Sequence, residues 1–159
     1  MATVVNRPFD LLIVGFLLSH IPITVFIDSQ AIFPKAWYPG WATKTLDWYL
    51  ATYEDPLMRD MPPWFMALAA NEIFVQLPFF FVGAYAFLTG KHWIRMPALL
   101  YGVSTATTLL PILAELLSQP GPHTTILVAF YLPYLIFPAA IAVAMVQKLS
   151  NTRQPAKLD

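Results

Sequence analysis

The stretch WFMALAANEIFVQLPFFFVGAYAFL, Trp64 to Leu88, decides the fold of this chain. An α-helix needs about 20 mostly apolar residues to cross a hydrocarbon layer of roughly 30 Å, and this stretch is longer than that. Its single acidic or basic side chain is Glu72, and Gln76 follows one helical turn later. The stretch therefore predicts a membrane-spanning helix with polar groups in its middle.

Three further stretches are as long and as apolar: Phe9 to Ile27, Ile94 to Leu117 and Thr125 to Leu149. The 159-residue chain is 58% hydrophobic and 11% charged, with a mean hydropathy of +0.60, well outside the usual composition of soluble domains. We predict an all-α polytopic membrane protein, a bundle of four transmembrane helices. The predicted single domain covers residues 1–150, with helices at 9–27, 64–88, 94–117 and 125–149, a polar connection at 28–63 and a tail at 151–159.

Several function classes conflict with the composition. A formal net charge of zero and a pI near 6.8 give no basic field for nucleic acid. The absence of cysteine excludes disulfides and a thiolate nucleophile. His20, His92 and His123 are far apart and lack metal-ligand spacing, so we predict neither a metal site nor a cofactor.

The loop charges predict an orientation. One side of the predicted bundle carries six basic residues, which are Arg7, Lys91, Arg95, Lys148, Arg153 and Lys157. The other side carries Lys35, Lys44 and Arg59, within a connection that is also rich in acidic residues. The positive-inside rule then places both termini in the cytosol and connection 28–63 in a lumen. Within this connection, Thr43 to Tyr53 predicts a short amphipathic helix on the membrane surface.

Proline is frequent within the predicted helices. Each helix contains at least one of the following: Pro22, Pro78, Pro97, Pro111, Pro133 and Pro138. An interior proline removes a backbone hydrogen bond and bends the helix. Because bent helices do not pack along their whole length, we expect an internal cavity.

Two carboxyl groups interrupt the apolar pattern: Asp28, at the end of the first helix, and Glu72. An ionised carboxylate in hydrocarbon costs at least roughly 2.5 to 3.5 kcal/mol, so such groups face a cavity or a partner. A spacing of four places His20 and Thr24 on the helix face of Asp28, and Gln76 on that of Glu72. The third helix offers Tyr101, Ser104, Thr105 and Thr108, and the fourth offers Tyr131 and Tyr134. These polar stripes should point inward, with Thr24, Ser104 and Thr105 mainly bonding helices together.

Proximity of Asp28 and Glu72 would have a chemical consequence. Two carboxylates cannot both remain ionised in low dielectric, so one should keep its proton and donate a hydrogen bond to the other. The pair would then hold one negative charge, with aromatic walls from Tyr101, Tyr131 and Tyr134. Such a site suits a protonated amine on an apolar body, or a sterol with a polar end.

Ordered runs throughout the chain resemble a known family. They include SHIPIT at 19–24, DSQA at 28–31, YEDPL at 53–57, PPWF at 62–65, EIFVQLPFF at 72–80, TTLLPIL at 107–113 and YLPY at 131–134. This pattern is similar to the sigma-two receptor family, part of the EXPERA group that also contains the emopamil-binding sterol isomerase. The resemblance implies a receptor for sterols and cationic amphiphilic amines with a role in cholesterol homeostasis.

The resemblance also implies a location and partners. It points to a homodimer in the endoplasmic reticulum membrane, with the nuclear envelope or endolysosomal membranes as further candidate locations. Besides membrane lipid and the sterol or amine, it suggests a Niemann-Pick C type cholesterol transporter as a partner. The chain departs from the family pattern in lacking cysteine and a dilysine ending, and its terminal Lys157-Leu158-Asp159 is a weak retrieval signal.

The resemblance assigns roles at matching positions. Asp28 matches the carboxylate that pairs with a ligand amine, and Glu72 matches the protonated acid beside it. Five further residues match positions that line the pocket: Gln76, Tyr101, Thr108, Tyr131 and Tyr134. Asp55 and His20 are placed beside the site as structural residues, with Asp55 shaping a turn before Pro56.

Two alternatives use the same acidic groups. A sterol double-bond isomerase needs an acid and a base around a carbocation, and the related isomerase carries histidine and glutamate at a spacing of four on the second helix. Here those positions are Glu72 and Gln76, and an amide does not exchange protons usefully, so we expect no enzyme and no catalytic residue. A proton-coupled carrier is disfavoured because the chain has no inverted repeat.

Overall fold

The computed structural model describes residues 4–153, so the predicted tail beyond residue 153, with Lys157, lies outside the described residues, as does the side chain of Arg153. No β-strand occurs in the described range. Within residues 4–153, seven α-helices follow one another: α1 (Pro8–Phe26), α2 (Gly40–Tyr53), α3 (Pro56–Asp60), α4 (Pro63–Asn71), α5 (Leu77–Thr89), α6 (Arg95–Ser118) and α7 (Thr124–Arg153).

In the described part of the chain, four helical segments are long and apolar enough to cross a membrane. They are Pro8–Ala31, Pro63–Thr89, His92–Ser118 and Thr124–Asn151, which correspond to the four predicted spans. Large apolar side chains point outward from them, as Phe74, Leu100 and Leu117 do at 61% to 64% exposure. Such side chains suit contact with lipid rather than water. The predicted class, an all-α polytopic membrane protein, is confirmed.

The sequence predicted one helix over residues 64–88, bent at Pro78, whereas the structure divides the second span into α4, a π-helical turn and α5. Between α4 and α5, Glu72–Gln76 forms a π-helical turn in which the Leu77 N–H donates to the Glu72 carbonyl five residues earlier. Pro78 follows at once and has no N–H for the usual bond to a carbonyl four residues back. Because a regular α-helical bond is already lost there, the wider turn fits this position.

Fewer prolines lie in helix interiors than the sequence predicted. Pro22, Pro111, Pro133 and Pro138 lie inside helices. Pro97, however, is the third residue of α6, where a backbone N–H has no partner within the helix. The predicted bend at Pro97 is therefore wrong, because no intrahelical hydrogen bond is lost in a first turn.

The connection between the first two spans packs onto the bundle. Helix α2 begins at Gly40, three residues before the predicted amphipathic helix, and Ala42 and Leu46 on its inner face are fully buried. Leu46 belongs to an apolar cluster with Leu57 of α3 and Leu127 of α7. The apolar face that predicted a surface helix thus also covers one end of the bundle.

Helices α6 and α7 form the most extensive helix pair, followed by α1 and α5. Gly102 lies at the contact between α6 and α7. A Cβ atom there would stand 2.5 Å from the Pro138 carbonyl oxygen and 2.9 Å from the Ala142 backbone nitrogen. Both neighbours are backbone atoms, so the two helices approach this closely only because residue 102 has no side chain.

We expect Gly102→Ala to destabilise the protein by about 1–3 kcal/mol, because the added methyl group must push α7 away. Thermal unfolding of the purified protein in detergent measures the effect as a lower midpoint. Gly15→Ala is the matched control, since nothing lies within 4 Å of the Cβ position in α1. Equal midpoints for the two variants would contradict the close contact.

Candidate ligand-binding site

A cavity of about 490 Å³ lies inside the bundle. Its size is in the range of small-molecule sites in proteins, and most of its wall is apolar. All seven residues predicted to bind ligand line this cavity: Asp28, Glu72, Gln76, Tyr101, Thr108, Tyr131 and Tyr134. The structure thus brings these residues together from all four spans. Their contact with a ligand stays a prediction.

The two acidic groups are brought together by the end of α1. Helix α1 ends at Phe26, and Asp28 opens a 3-10 turn, Asp28–Ala31. The carboxyl groups of Asp28 and Glu72 lie within reach of a side-chain hydrogen bond. The fully buried Thr24 hydroxyl donates to Glu72 Oε1 at 2.6 Å. One carboxyl oxygen of Glu72 is thus fixed by α1, and the acid pair faces the cavity.

Helix α6 supplies a narrower polar face than the sequence predicted. Thr105 donates to Gln76 Oε1 at 3.2 Å, which joins α6 to the π-helical turn. The Thr108 hydroxyl donates to the Thr105 carbonyl oxygen at 2.8 Å, within its own helix. Ser104 is exposed on another side of α6, so its predicted inward position is wrong. A helix with 3.6 residues per turn separates adjacent positions 104 and 105 by about 100°, and burial of Thr105 directs Ser104 outward.

His20, which was predicted to be a structural residue near the site, lies in the wall of the cavity. Its ring packs between Phe16 and Tyr134, with ring centroids 4.1 Å and 4.7 Å away. Nδ1 lies 2.7 Å from the Phe16 carbonyl oxygen, which only accepts, so we assign the hydrogen to Nδ1. In the neutral ring Nε2 is then an acceptor, and it is buried without a hydrogen-bond partner among the described residues.

Asp55 does not line the cavity but organises the connection that covers it. The side chain is fully buried and accepts from the Leu57 and Met58 backbone N–H groups, which caps the start of α3. It also accepts from the phenols of Tyr49 at 2.8 Å and Tyr131 at 2.9 Å. The expected turn-shaping contact is present, and the bond to Tyr131 additionally ties the connection to α7.

Tyr49 serves this network as a neutral donor. Burial, and next the nearby Asp55 carboxylate, raise the pKa of the Tyr49 phenol above its ordinary value. Its O–H therefore persists through the physiological pH range and donates to Asp55.

Aromatic residues of the connection form part of the wall that sequence reasoning missed. Trp48, Tyr49 and Tyr53 of α2 line the cavity, together with Phe130 of α7. The Tyr53 and Phe130 rings meet edge to face with centroids 5.1 Å apart. A spacing of four between Tyr49 and Tyr53 was the available signal, but a helix lying on the membrane surface shows the same spacing. Within residues 4–153, no group of three acidic or histidine side chains converges as a metal site requires.

The fold and the cavity define a class, a four-span membrane protein with an acid pair in an internal pocket. Residues 41–145 match the family model EXPERA (EXPanded EBP superfamily), and the chain belongs to the EXPERA family. It is 38% identical over 161 residues to "Sigma intracellular receptor 2" of Homo sapiens, with 92% of each chain covered. It is 37% identical over 142 residues to the protein of that name in Xenopus tropicalis, covering 82% of this chain and 83% of the relative.

A more distant relative is "Efficient mitochondria targeting-associated protein 19" of Schizosaccharomyces pombe. It is 31% identical over 157 residues, which cover 93% of this chain and 80% of the relative. The resemblance to the sigma-two receptor family within the EXPERA group, inferred from sequence runs, is therefore confirmed.

We expect Tyr131→Phe to destabilise the protein by about 1–3 kcal/mol, because a buried carboxylate loses one of its donors. The change should lower the thermal unfolding midpoint in detergent. Tyr85→Phe is the control, since that side chain is 58% exposed. If both variants unfold at the wild-type temperature, the bond between Tyr131 and Asp55 contributes little to stability.

Proposed function

We propose that this protein is an intracellular membrane receptor that binds sterols and cationic amphiphilic amines in the cavity, and that it acts in cholesterol homeostasis. The observation that carries the proposal is the acid pair, Asp28 and Glu72, in a cavity whose wall is otherwise mainly apolar and aromatic. The relatives named as intracellular receptors support a binding role.

The amine part of the proposal follows from the acid pair. Two carboxyl groups within hydrogen-bonding reach hold one proton between them, because an ionised carboxylate can only accept. Thr24 also donates to Glu72 Oε1, and this bond stabilises the negative charge that the pair as a whole retains. The nearby rings of Tyr131 and Tyr134 stabilise a cation further. A protonated amine attached to an apolar body satisfies both features.

The sterol part rests on His20. A sterol combines a large apolar body with one hydroxyl donor. The cavity has a mainly apolar wall that includes His20, whose buried Nε2 has no hydrogen-bond partner among the described residues. A bound hydroxyl that donated to Nε2 would relieve an unsatisfied buried group, which otherwise costs about 1–3 kcal/mol. The acid pair and His20 would thus serve two related ligand classes.

A receptor is favoured over an isomerase by the groups on the second span. Gln76 is the residue one turn beyond Glu72, and its amide oxygen accepts from Thr105. An amide in that position cannot pass protons between two carbon atoms of a sterol ring. His20 lies on α1 with its Nδ1 committed to a backbone carbonyl oxygen. We therefore propose that the protein binds and does not catalyse.

We extend the proposal to location and assembly. Arg7, Lys91, Arg95 and Lys148 gather at one end of the bundle, which supports cytosolic termini under the positive-inside rule. We place the protein in the endoplasmic reticulum membrane, as a homodimer, with a Niemann-Pick C type cholesterol transporter as a partner. These assignments follow from the resemblance to sigma-two receptors.

We expect Asp28→Asn to abolish binding of a radiolabelled cationic amphiphile, because a neutral amide cannot offset the ammonium charge in low dielectric. Loss of a buried ion pair of this kind lowers affinity by about 100-fold or more. Saturation binding to membranes that contain each variant measures it.

The control for this experiment is Asp47→Asn, which removes the same charge at an exposed position paired with Lys35. Its affinity should equal that of the wild type. Thermal unfolding of both variants shows whether the fold is retained. Unchanged affinity in a folded Asp28→Asn protein would remove Asp28 from the site and with it the proposed amine function.

We expect His20→Phe to weaken binding of a hydroxysterol by about 5–10-fold, the effect of one hydrogen bond, because phenylalanine keeps the ring packing but has no acceptor. Competition binding against a fluorescent sterol measures the change. The O-methyl ether of the same sterol is the matched ligand, since it has no hydroxyl to donate. If His20→Phe weakens both ligands equally, the histidine acts through packing alone.

A further inference from the structure

A second cavity, of about 440 Å³, lies at the end of the bundle where α1 begins and α7 approaches its end. Four of its lining residues are cationic, namely Arg7, Lys91, Arg95 and Lys148, and His92 lies among them. Among the residues that the structure describes, the only acidic one in the lining is Asp10. This cationic cavity, as we call it here, is separate from the candidate ligand-binding site and shares no lining residue with it.

The cationic cavity holds an excess of positive charge. Asp10 is buried, and its two carboxylate oxygens bind Arg7 at 2.8 Å and Lys148 at 2.9 Å. Counted over the described lining residues, four cations and one carboxylate leave three positive charges when His92 is neutral. Lys91 makes no ion pair with any of the described residues. Further anionic charge at this position would therefore be stabilising.

Several contacts hold these cations in place. The Arg7 guanidinium donates to Asp10 and also to the Leu88 carbonyl oxygen at 3.1 Å. The Arg95 guanidinium lies 2.9 Å from His92 Nδ1. Gly90 ends α5 with a φ of 68°, and a Cβ atom there would stand 3.2 Å from Arg7 Nη1. Glycine thus permits the left-handed turn and leaves room for the guanidinium.

At the opposite end of the protein, basic residues form separate ion pairs. There, Lys35 pairs with Asp47 and Arg59 pairs with Asp60, all at exposed positions. The orientation rule requires basic residues on one side of the membrane but does not require them to surround one cavity. A shared cavity with a buried carboxylate as its anchor is an additional feature.

The position of the cationic cavity indicates the class of anion. Arg7 directly precedes α1, and Lys91 and Arg95 flank the start of the third span, so the opening lies at the level of lipid headgroups. Guanidinium groups bind phosphate oxygens in pairs, and basic pockets between spans recognise anionic headgroups. Buried apolar residues Phe87, Ile94 and Met145 line the same cavity and suit the glycerol and upper acyl region.

We propose that the cationic cavity binds the phosphate of an anionic phospholipid headgroup. The site is independent of the proposed sterol and amine pocket. The lipid would bridge the ends of α1, α6 and α7, and its occupancy would vary with the anionic content of the membrane.

Native mass spectrometry of the full chain in detergent tests the proposal, with phosphatidylinositol and phosphatidylcholine of matched acyl chains as probes. We expect one phosphatidylinositol to be retained in preference to phosphatidylcholine. Lys91→Gln should weaken that binding about fivefold, which is typical for one basic residue at an anionic surface. Arg7→Gln should weaken it more, and Lys44→Gln, which removes a charge at the opposite end, should not change it.

The outcomes separate the alternatives. Equal retention of both lipids, or wild-type affinity in both Lys91→Gln and Arg7→Gln, would overturn the proposal. If millimolar inorganic phosphate displaces the phospholipid, the cavity binds a free anion, and the proposal of a lipid ligand is wrong. Because Arg7 also pairs with Asp10, the Arg7→Gln variant must be checked for stability by thermal unfolding. If Arg7→Gln is unstable, the lipid affinity of Lys91→Gln decides whether the cavity binds an anionic headgroup.

Discussion

A carboxyl group inside an apolar bundle must find hydrogen-bond partners, and the rest of this structure depends on that constraint. Asp10, Asp55 and Glu72 each find partners on a different part of the chain: Lys148 for Asp10, Tyr131 for Asp55 and Thr24 for Glu72. Lipid cannot replace any of these donors. Each contact therefore fixes how two distant segments lie against one another, which apolar packing alone leaves less well defined.

The internal cavity follows from the same arrangement. The acid pair needs a polar wall, and α6 contributes to it through Thr105, which donates to Gln76 of the π-helical turn. On the side beside Tyr101, Gly102 lets α6 and α7 approach very closely. Toward the connection, rings of α2 and α7 meet over the open space, and Asp55 holds them there. The close contact of α6 with α7 at Gly102 and the internal cavity thus both follow from how the helices are positioned.

Much of the fold was accessible from sequence because hydropathy is a local property. The four spans and the two acidic residues in the apolar pattern, Asp28 and Glu72, belong to this part. The π-helical turn at Glu72–Gln76 was not predicted, although Pro78 gave a signal, because a lost hydrogen bond permits either a bend or a wider turn. The place of α2 was missed for a similar reason. An apolar face suits a membrane surface and a protein surface equally well, and only the contact partners of Leu46 decide between them.

By itself, the sequence determined the number of spans, the excess of basic residues on one side, and which polar side chains had to be accommodated in an apolar environment. These are sums over neighbouring residues, and they need no knowledge of distant contacts. Only the tertiary structure decided which of those groups meet. Thr24, the donor to Glu72, is 48 residues away from it, and Tyr131, one of the donors to Asp55, is 76 residues away. His20 Nε2 is left without a partner within the described chain. Hydrogen bonds act over about 3 Å, so their pairing is set by how the helices pack and not by their order in the chain.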